Sequence, residues 1–248
     1  MSSKYHMLLF DFFNTIVRSD ASRRPITEMD GKPVITTAHL LHEVLVTEYP
    51  DVNTEQIYRA MEAARQRAME QWGSDYREPP ALEKFRHVTK ILGIGEDQER
   101  IPQLLLKRHM EAVVNSFQFP PAHRELLANL RKTYKLAIFS NFDHAPALLE
   151  LLRTEGIEDY FEPVIISEQI GFRKPGRSAF RHALALVGEP VERILFTGDS
   201  LRDDVHGALG VNLDVAWLNP KGEEAPPDCS PTYELRDLLE LETLLENT

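Results

Sequence analysis

In the segment LLFDFFNTIV, residues 8–17, a single aspartate, Asp11, interrupts a run of apolar residues. Met7 to Phe10 have the pattern of a short buried strand, and Asp11 follows where that strand ends. In open α/β sheets, ligands bind beyond the carboxyl ends of the strands. The segment therefore predicts an α/β fold with a functional site at its strand ends, and Asp11 is the first candidate residue.

The second half of the chain continues this pattern. From about residue 119 onward, short apolar runs at residues 136–139, 164–166, 194–197 and 215–218 have the character of strands. The segments between them place leucine, alanine and phenylalanine at helical spacing. Strands that alternate with amphipathic helices predict a doubly wound, Rossmann-like parallel sheet covered on both faces, and the strand before Asp11 belongs to it.

Residues 18–117 differ in character from the rest. Asn53 and Gln56 are typical of a helix N-terminus, and apolar residues then recur at helical spacing. Further amphipathic segments cover residues 82–92 and 101–114. We therefore predict an α/β core of residues 1–17 and 118–248 with an all-helical cap inserted at residues 18–117. Residues 219–234 are expected to form a surface loop before a last helix.

The composition restricts the class of partner. The 248 residues carry a formal net charge of −11 and no Lys/Arg cluster, which argues against nucleic acid or anionic membranes as partners and favours a small-molecule substrate. Cys229 is the only cysteine, so an intrachain disulfide is impossible and a cytoplasmic location is expected. No apolar run reaches the roughly 18 residues that a membrane span needs. The oligomeric state is left open.

Reactive side chains follow four of the predicted strands. They are Asp11, the pair Ser140 and Asn141, Lys174 in GFRKPG, and the aspartates of GDSLRDD at positions 199, 203 and 204. Each one alone is typical of a turn or a helix cap. Together they are expected to converge, because all four lie at the carboxyl edge of one sheet. Converging carboxylates repel each other, and oxygen ligands in this number suit a magnesium ion.

The motifs DFFNT, FSN, RKPG and GDSLRDD resemble those of the haloacid dehalogenase (HAD) superfamily with an inserted helical cap. The closing part of the core is most similar to the branch of nucleotidases and small phosphomonoesterases. The resemblance implies that Asp11 is the nucleophile that forms an aspartyl intermediate. It also implies that Ser140, with Asn141 beside it, binds the transferred group, that Lys174 neutralises charge, and that the substrate is a small phosphorylated molecule.

The same resemblance implies a set of metal ligands. Mg²⁺ would be held by Asp11, the backbone carbonyl of Phe13 and Asp199. The neighbouring polar residues that would support this site are Thr15, Ser200, Asp203 and Asp204.

Position 13 departs from the pattern of the superfamily's phosphatases, which carry there a second aspartate. That aspartate protonates the leaving oxygen, a contribution of about 10²–10⁴ in rate, and Phe13 cannot do so. Three hypotheses stay open. The leaving group needs no protonation, as in acyl phosphates, aryl phosphates or activated phosphonates; the enzyme releases halide from a 2-haloacid; or the chain binds a ligand or partner without turnover.

Cations of the insertion are the candidates for substrate selection, because a cap closes over the site. Arg23, Arg24 and Lys32 follow the nucleophile loop, and Arg77 and Arg86 lie further on. Each could bind a carboxylate or phosphate, although a solvated position is the commoner role of such residues. Lys32 is also the nearest candidate for the Schiff-base lysine that a phosphonatase would need.

Overall fold

A computed structural model describes residues 3–29, 31–95 and 99–248. The strands are β1 (Met7–Phe10), β2 (Arg18–Ser19), β3 (Ile26–Met29), β4 (Lys32–Ile35), β5 (Phe117–Gln118), β6 (Lys135–Ser140), β7 (Val164–Ile166), β8 (Ile194–Gly198), β9 (Asp214–Leu218) and β10 (Tyr233–Leu235). The α-helices are α1 (Ala38–Leu45), α2 (Thr54–Trp72), α3 (Ala81–Ile91), α4 (Arg100–Asn115), α5 (Pro121–Leu130), α6 (Ala145–Thr154), α7 (Ser167–Ile170), α8 (Arg177–Val187), α9 (Gly207–Leu209) and α10 (Glu240–Glu246).

Six parallel strands form the main sheet, in the order β10-β9-β8-β1-β6-β7. Strand β1 lies between β6 and β8, so the residue after it stands near the middle of the carboxyl edge. Side chains alternate across β1: Leu8 and Phe10 enter one hydrophobic core, and Met7 and Leu9 enter the other. The predicted doubly wound sheet, with both faces covered, is confirmed.

Helices supply the other half of each core. Leu127 of α5, Leu148 of α6 and Leu241 of α10 pack on one face of the sheet, and Phe180 of α8 and Ala208 of α9 pack on the opposite face. The long connection between β1 and β6 contains the insertion, which is how two strands so distant in sequence become neighbours. Among the described residues, no helix is both long and apolar enough to cross a membrane.

Helices α1 to α4 of the insertion share a hydrophobic core of their own, which includes Leu41, Ile57 and Leu105. Helix α2 begins with the predicted capping box, in which Asn53 and Gln56 bond each other's backbone N–H groups. Helices α3 and α4 match the predicted segments to within one residue at each end.

Parts of the structure differ from the prediction. The insertion is not all-helical, because β3 and β4 form an antiparallel hairpin. Its side chains are exposed or half-buried, and Pro33 interrupts its second strand, so the sequence lacks a strand signal. Helix α1 was also not predicted. Strand β10 occupies the end of the predicted loop at residues 219–234, where its pairing with β9 defines it.

The chain leaves the core and returns to it at one place. Strands β2 and β5 pair antiparallel, with Arg18 opposite Gln118 and Ser19 opposite Phe117. This pair lies beside the predicted limits of the insertion, and the limits themselves stay a prediction.

Candidate active site

Asp11 is held in place at the end of the central strand. Its N–H donates to the Thr197 carbonyl at 2.8 Å, which continues the pairing of β1 with β8. Asn14 then adopts a left-handed conformation, with φ of 66°, which asparagine tolerates better than most residues. The chain turns back, and the Thr15 hydroxyl donates to Asp11 Oδ2 at 3.0 Å. The DFFNT segment thus folds into a turn around a buried carboxylate.

Lys174 contacts two of the aspartates from the opposite side. Its ammonium donates to Asp11 Oδ1 at 2.8 Å, Asp204 Oδ1 at 2.7 Å and the Phe139 carbonyl at 2.9 Å, and the side chain is 1% exposed. All three N–H donors therefore have acceptors. Burial alone would lower the pKa of Lys174, but Asp11 and Asp204 outweigh it and raise that pKa, so the ammonium stays charged.

Asn141 fixes the backbone of Lys174. Its amide Nδ2 donates to the Lys174 carbonyl at 2.9 Å, and the Lys174 N–H donates to Asn141 Oδ1 at 2.8 Å. This double contact joins the loop after β6 to the RKPG loop. The side chain of Asn141 is thus engaged with protein, and its predicted contact with the transferred group stays a prediction.

Carboxylate oxygens of Asp11, Asp199 and Asp204 all lie within 4.8 Å of one another, an arrangement that could hold a metal ion. Burial, together with the charges of Asp11 and Asp204, raises the pKa of Asp199 to about 7. A divalent cation would remove this repulsion, and a set of carboxylate oxygens fits a hard ion such as Mg²⁺. The residues present therefore fit the metal that the sequence implies.

Asp204 has its own hydrogen bonds. Its Oδ1 accepts from Lys174, and its Oδ2 accepts from the Ser200 N–H at 2.9 Å. Burial raises the pKa of Asp204, and Lys174 opposes that rise. Both carboxylate oxygens of Asp204 thus have hydrogen-bond partners in the protein, as do both oxygens of Asp11.

The GDSLRDD segment places Asp204 through its glycine and its serine. A Cβ at Gly198 would lie 2.4 Å from Asp204 Oδ2, so only glycine leaves room for the carboxylate there. The Ser200 hydroxyl accepts from the Asp203 N–H at 3.0 Å and caps a π-helical turn, Leu201–His206. Such turns are frequent at functional sites.

Ser140 ends β6, next to the strand that carries Asp11. The residue is fully buried, and its hydroxyl has no hydrogen-bond partner in the described structure. Most buried polar side-chain atoms have a partner, so an unpaired hydroxyl calls for an explanation. A ligand oxygen bound beside Asp11 would be such a partner.

The ring of Phe13 lies in an aromatic cluster. Its centroid is 5.1 Å from that of Phe12, 4.7 Å from that of Phe117 and 4.8 Å from that of Phe142. Phe117 opens the return strand β5, and Phe142 follows β6. Position 13 thus presents an apolar ring, held from three sides, where the superfamily's phosphatases have a carboxylic acid.

The insertion contacts the core just before Lys174. Glu78 is buried and accepts hydrogen bonds from the Ser167 hydroxyl at 2.9 Å and from Arg173 Nη1 at 3.3 Å. The Arg173 guanidinium also lies 3.9 Å from the ring centre of Trp72. Sequence reasoning did not identify Glu78, because a glutamate before two prolines carries no signal of burial. Only its partners in space reveal it.

The comparison with protein families assigns the class. A model of the haloacid dehalogenase-like hydrolases matches residues 5–212, so the chain belongs to that family. The family is one of hydrolases.

Two curated relatives illustrate the range of similarity. Pyrimidine 5'-nucleotidase YjjG of Escherichia coli is 36% identical over 126 residues, which cover 50% of this chain and 56% of the relative. The chain thus spans little more than half the length of that nucleotidase. The putative HAD-hydrolase YfnB of Bacillus subtilis is 27% identical over 253 residues and is covered to 98%.

Solved structures resemble the whole chain. A 2-haloacid dehalogenase from Pseudomonas syringae has a TM-score of 0.71 at 21% identity, with 98% of this chain and 99% of that one covered. The structure of YfnB, described as bound to magnesium, has a TM-score of 0.63 at 24% identity and similar coverage. At these identities, the likeness shows the fold alone.

Proposed function

We propose that this hydrolase removes the phosphoryl group from a small phosphorylated metabolite through an aspartyl intermediate on Asp11. The proposal includes a preference for leaving groups that depart without protonation. The observation that carries it is the convergence of Asp11, Asp199 and Asp204 within 4.8 Å beside the buried Lys174. With all three carboxylates ionised this site has more negative than positive charge, which a divalent cation would neutralise, and the bound cation together with Lys174 would then attract an anionic phosphoryl group. Relatives named as a nucleotidase and as glyceraldehyde 3-phosphate phosphatases agree with a phosphorylated substrate.

Magnesium would be held by Asp11, Asp199 and the Phe13 carbonyl, with Asp204 behind them. The relative YfnB, 27% identical over its length, has a structure described as bound to magnesium, which agrees with the choice of metal. When bound, such an ion would offset the negative charge of the phosphoryl oxygens and so reduce their repulsion of the Asp11 carboxylate.

The chain's own residues perform the transfer. An oxygen of Asp11 attacks phosphorus, the bond to the leaving oxygen breaks, and that oxygen departs with the bonding electrons. The Ser140 hydroxyl, unpaired without ligand, donates to a phosphoryl oxygen. Lys174 offsets the negative charge, and Asn141 positions Lys174 through its backbone. Water then attacks phosphorus, the bond from phosphorus to the Asp11 oxygen breaks, and Asp11 departs as the free carboxylate. The hydrogens of the water leave with the product as dihydrogen phosphate, because Phe13 cannot accept a proton.

Phe13 determines which leaving groups are accepted. The ring cannot supply a proton, so the departing oxygen must carry its own negative charge in the transition state. Acyl and aryl phosphates meet this condition, whereas alkyl phosphates do so poorly. The aromatic contacts of Phe13 with Phe117 and Phe142 also give this side of the site an apolar wall.

A second candidate is release of halide from a 2-haloacid. The observation in its favour is the same aromatic cluster, because a departing halide needs no proton and an apolar wall suits it. Against it, Asp199 would repel the carboxylate of the haloacid. Such a reaction would also proceed without metal.

Purified protein should be assayed with and without Mg²⁺ against acyl, aryl and alkyl phosphates, phosphonates and 2-haloacids, with Asp11→Asn as the inactive control. We expect Mg²⁺-dependent phosphate release whose rate falls steeply as the pKa of the leaving group rises. Rates independent of leaving group would contradict the role given to Phe13. Halide release without metal would favour the second candidate. Binding of phosphate compounds without turnover would indicate a binding protein.

A further inference from the structure

A cavity of about 480 Å³ opens beside Asp199. It is lined by Asn14 and Asp199 of the catalytic edge and by four cationic side chains, Arg18, Arg24, Lys221 and Arg236. The chain as a whole is strongly acidic, at −11, so this concentration of positive charge is local. Two carboxylates, Asp199 and Glu223, also line this cavity, so a lining cation attracts an anion there only where no carboxylate already neutralises it.

Three of these four cations already have carboxylate partners. The pairs are Arg18 with Asp237 at 2.8 Å, Lys221 with Glu223 at 3.8 Å and Arg236 with Glu234 at 3.1 Å. Arg24 is different. Its Nε and Nη2 donate to the Ser19 hydroxyl at 2.9 Å and 2.7 Å, and in the described part of the chain no carboxylate pairs with it. The Ser19 hydroxyl thus holds the Arg24 guanidinium in position, and no carboxylate of the described residues neutralises its charge.

Arg24 also lies at a junction. Arg24 and Ser19 line a second cavity, of about 410 Å³, which extends into the insertion past Phe85 and His109 and is bounded by Phe117. The ring of Phe117 contacts that of Phe13, at the position of the missing acid. Asp11 lines neither cavity, but Asn14 and Asp199, its neighbours in the site, line the first cavity together with Arg24. A substrate bound at Asp11 that extends past Asn14 and Asp199 would therefore reach Arg24.

We propose that Arg24 is a specificity-determining residue that binds a second anionic group, a carboxylate or a phosphate, on the leaving portion of the substrate. This inference rests on the proposed function, because it takes the first anionic group to be the phosphoryl group at Asp11. A guanidinium has five N–H donors, and the bonds to Ser19 leave the remainder to engage an anion. The preferred substrates are then phosphorylated acids or bisphosphates rather than simple phosphomonoesters.

Binding of carbon-linked analogues tests this without turnover. Phenylphosphonate, 3-carboxyphenylphosphonate and 1,3-phenylenebisphosphonate are titrated calorimetrically into the full chain with Mg²⁺. We expect at least one of the two doubly anionic compounds to bind about tenfold more tightly than phenylphosphonate. The compound with the larger increase in affinity over phenylphosphonate shows whether Arg24 prefers a carboxylate or a phosphate as the second anionic group.

Variants assign the gain to Arg24. Arg24→Gln should reduce the ratio of affinities, doubly anionic compound over phenylphosphonate, to near one. Arg24→Lys should retain part of this ratio, because an ammonium keeps the positive charge but lacks the paired N–H donors of a guanidinium. Arg23→Gln is the matched control, since Arg23 is exposed and paired with Asp20, and it should leave the ratio unchanged.

Four results would each overturn the proposal. The unaltered protein binds the doubly anionic compounds no more tightly than phenylphosphonate, or it binds none of the compounds. Alternatively, the affinity ratio persists in Arg24→Gln, or it falls equally in Arg23→Gln. If the ratio behaves as expected but no phosphate compound is hydrolysed, the proposed function fails and the anion site at Arg24 stands.

Discussion

The carboxyl edge of the main sheet and the helical insertion handle charge in opposite ways. At the sheet edge, Lys174 is 1% exposed and its ammonium is shared between Asp11 and Asp204. In the insertion, pairs such as Arg59 with Glu55 are more than half exposed on both side chains. Exposed pairs contribute little to stability, whereas a buried group that loses its partner is costly. The comparison shows that burial makes the charged residues of the sheet edge depend on one another, whereas the exposed pairs of the insertion do not.

The largest change in the free energy of unfolding is expected from Lys174→Met, because this substitution leaves Asp11 and Asp204 buried without a positively charged partner. Loss of one partner of a buried pair costs about 3–5 kcal/mol in the free energy of unfolding, and urea denaturation of the metal-free protein measures it. Arg59→Gln, at an exposed pair, is the control and should change the value by no more than about 0.5 kcal/mol. Similar losses in the two variants would remove the contrast between the regions.

Metal affinity should distinguish Asp199 from ordinary surface acids. Asp199→Asn removes one of three converging carboxylates, and we expect Mg²⁺ affinity, measured by calorimetry, to fall by at least the roughly tenfold to hundredfold that loss of an outer-shell partner costs. Asp228→Asn, an exposed carboxylate in a loop, should leave the affinity unchanged. Equal affinity in all three proteins would show that the cluster is not the metal site.

Phe13 lies where the sheet edge meets the insertion, because its ring contacts Phe117 at the end of the insertion. Phe13→Asp tests whether the missing carboxylic acid at this position limits the reaction. Restoring a carboxylate should speed alkyl phosphate hydrolysis by at least about tenfold and change aryl phosphate hydrolysis much less, as steady-state kinetics would show. Phe142→Leu alters the same cluster without adding an acid, so it controls for loosened packing. A gain in both variants would point to packing rather than proton transfer.

The smallest change in stability is expected from Glu78→Gln, at the place where the insertion contacts the core, and it should depend on pH. Burial raises the pKa of Glu78, although Arg173 opposes the rise. The folded state then holds this proton more tightly than the unfolded state does. The wild type should therefore lose stability relative to Glu78→Gln as the pH rises from about 4.5, the ordinary pKa of the group, and the loss should level off above the folded pKa.

Urea denaturation of both proteins across this pH range measures that difference, since contributions common to the two cancel. If the wild type instead gains stability relative to Glu78→Gln as the pH rises, the ion pair with Arg173 outweighs burial. The insertion would then be joined to the core by a charge pair of the kind found at the sheet edge.

Local patterns carried much of the prediction. The strand before Asp11, the capping box of Asn53 and Gln56, and the helices of the insertion all depend on residues within a few positions of one another. Hydrophobic periodicity and turn residues encode such elements directly. The hairpin β3–β4 was missed because its strands bury too little to show an alternating pattern.

The sequence by itself thus determined the parallel α/β core, the helical character of most of the insertion and the identity of the acidic residues at the strand ends. Only the tertiary structure decided which of them meet. Lys174 and Asp11 are 163 positions apart. The bonds of Asn141 to the Lys174 backbone and the partners of Glu78 likewise depend on long-range packing, as does the lack, among the described residues, of a carboxylate paired with Arg24. Periodicity places a residue on a face of its own element, but the charge, burial and partner of that residue depend on which other elements pack against it.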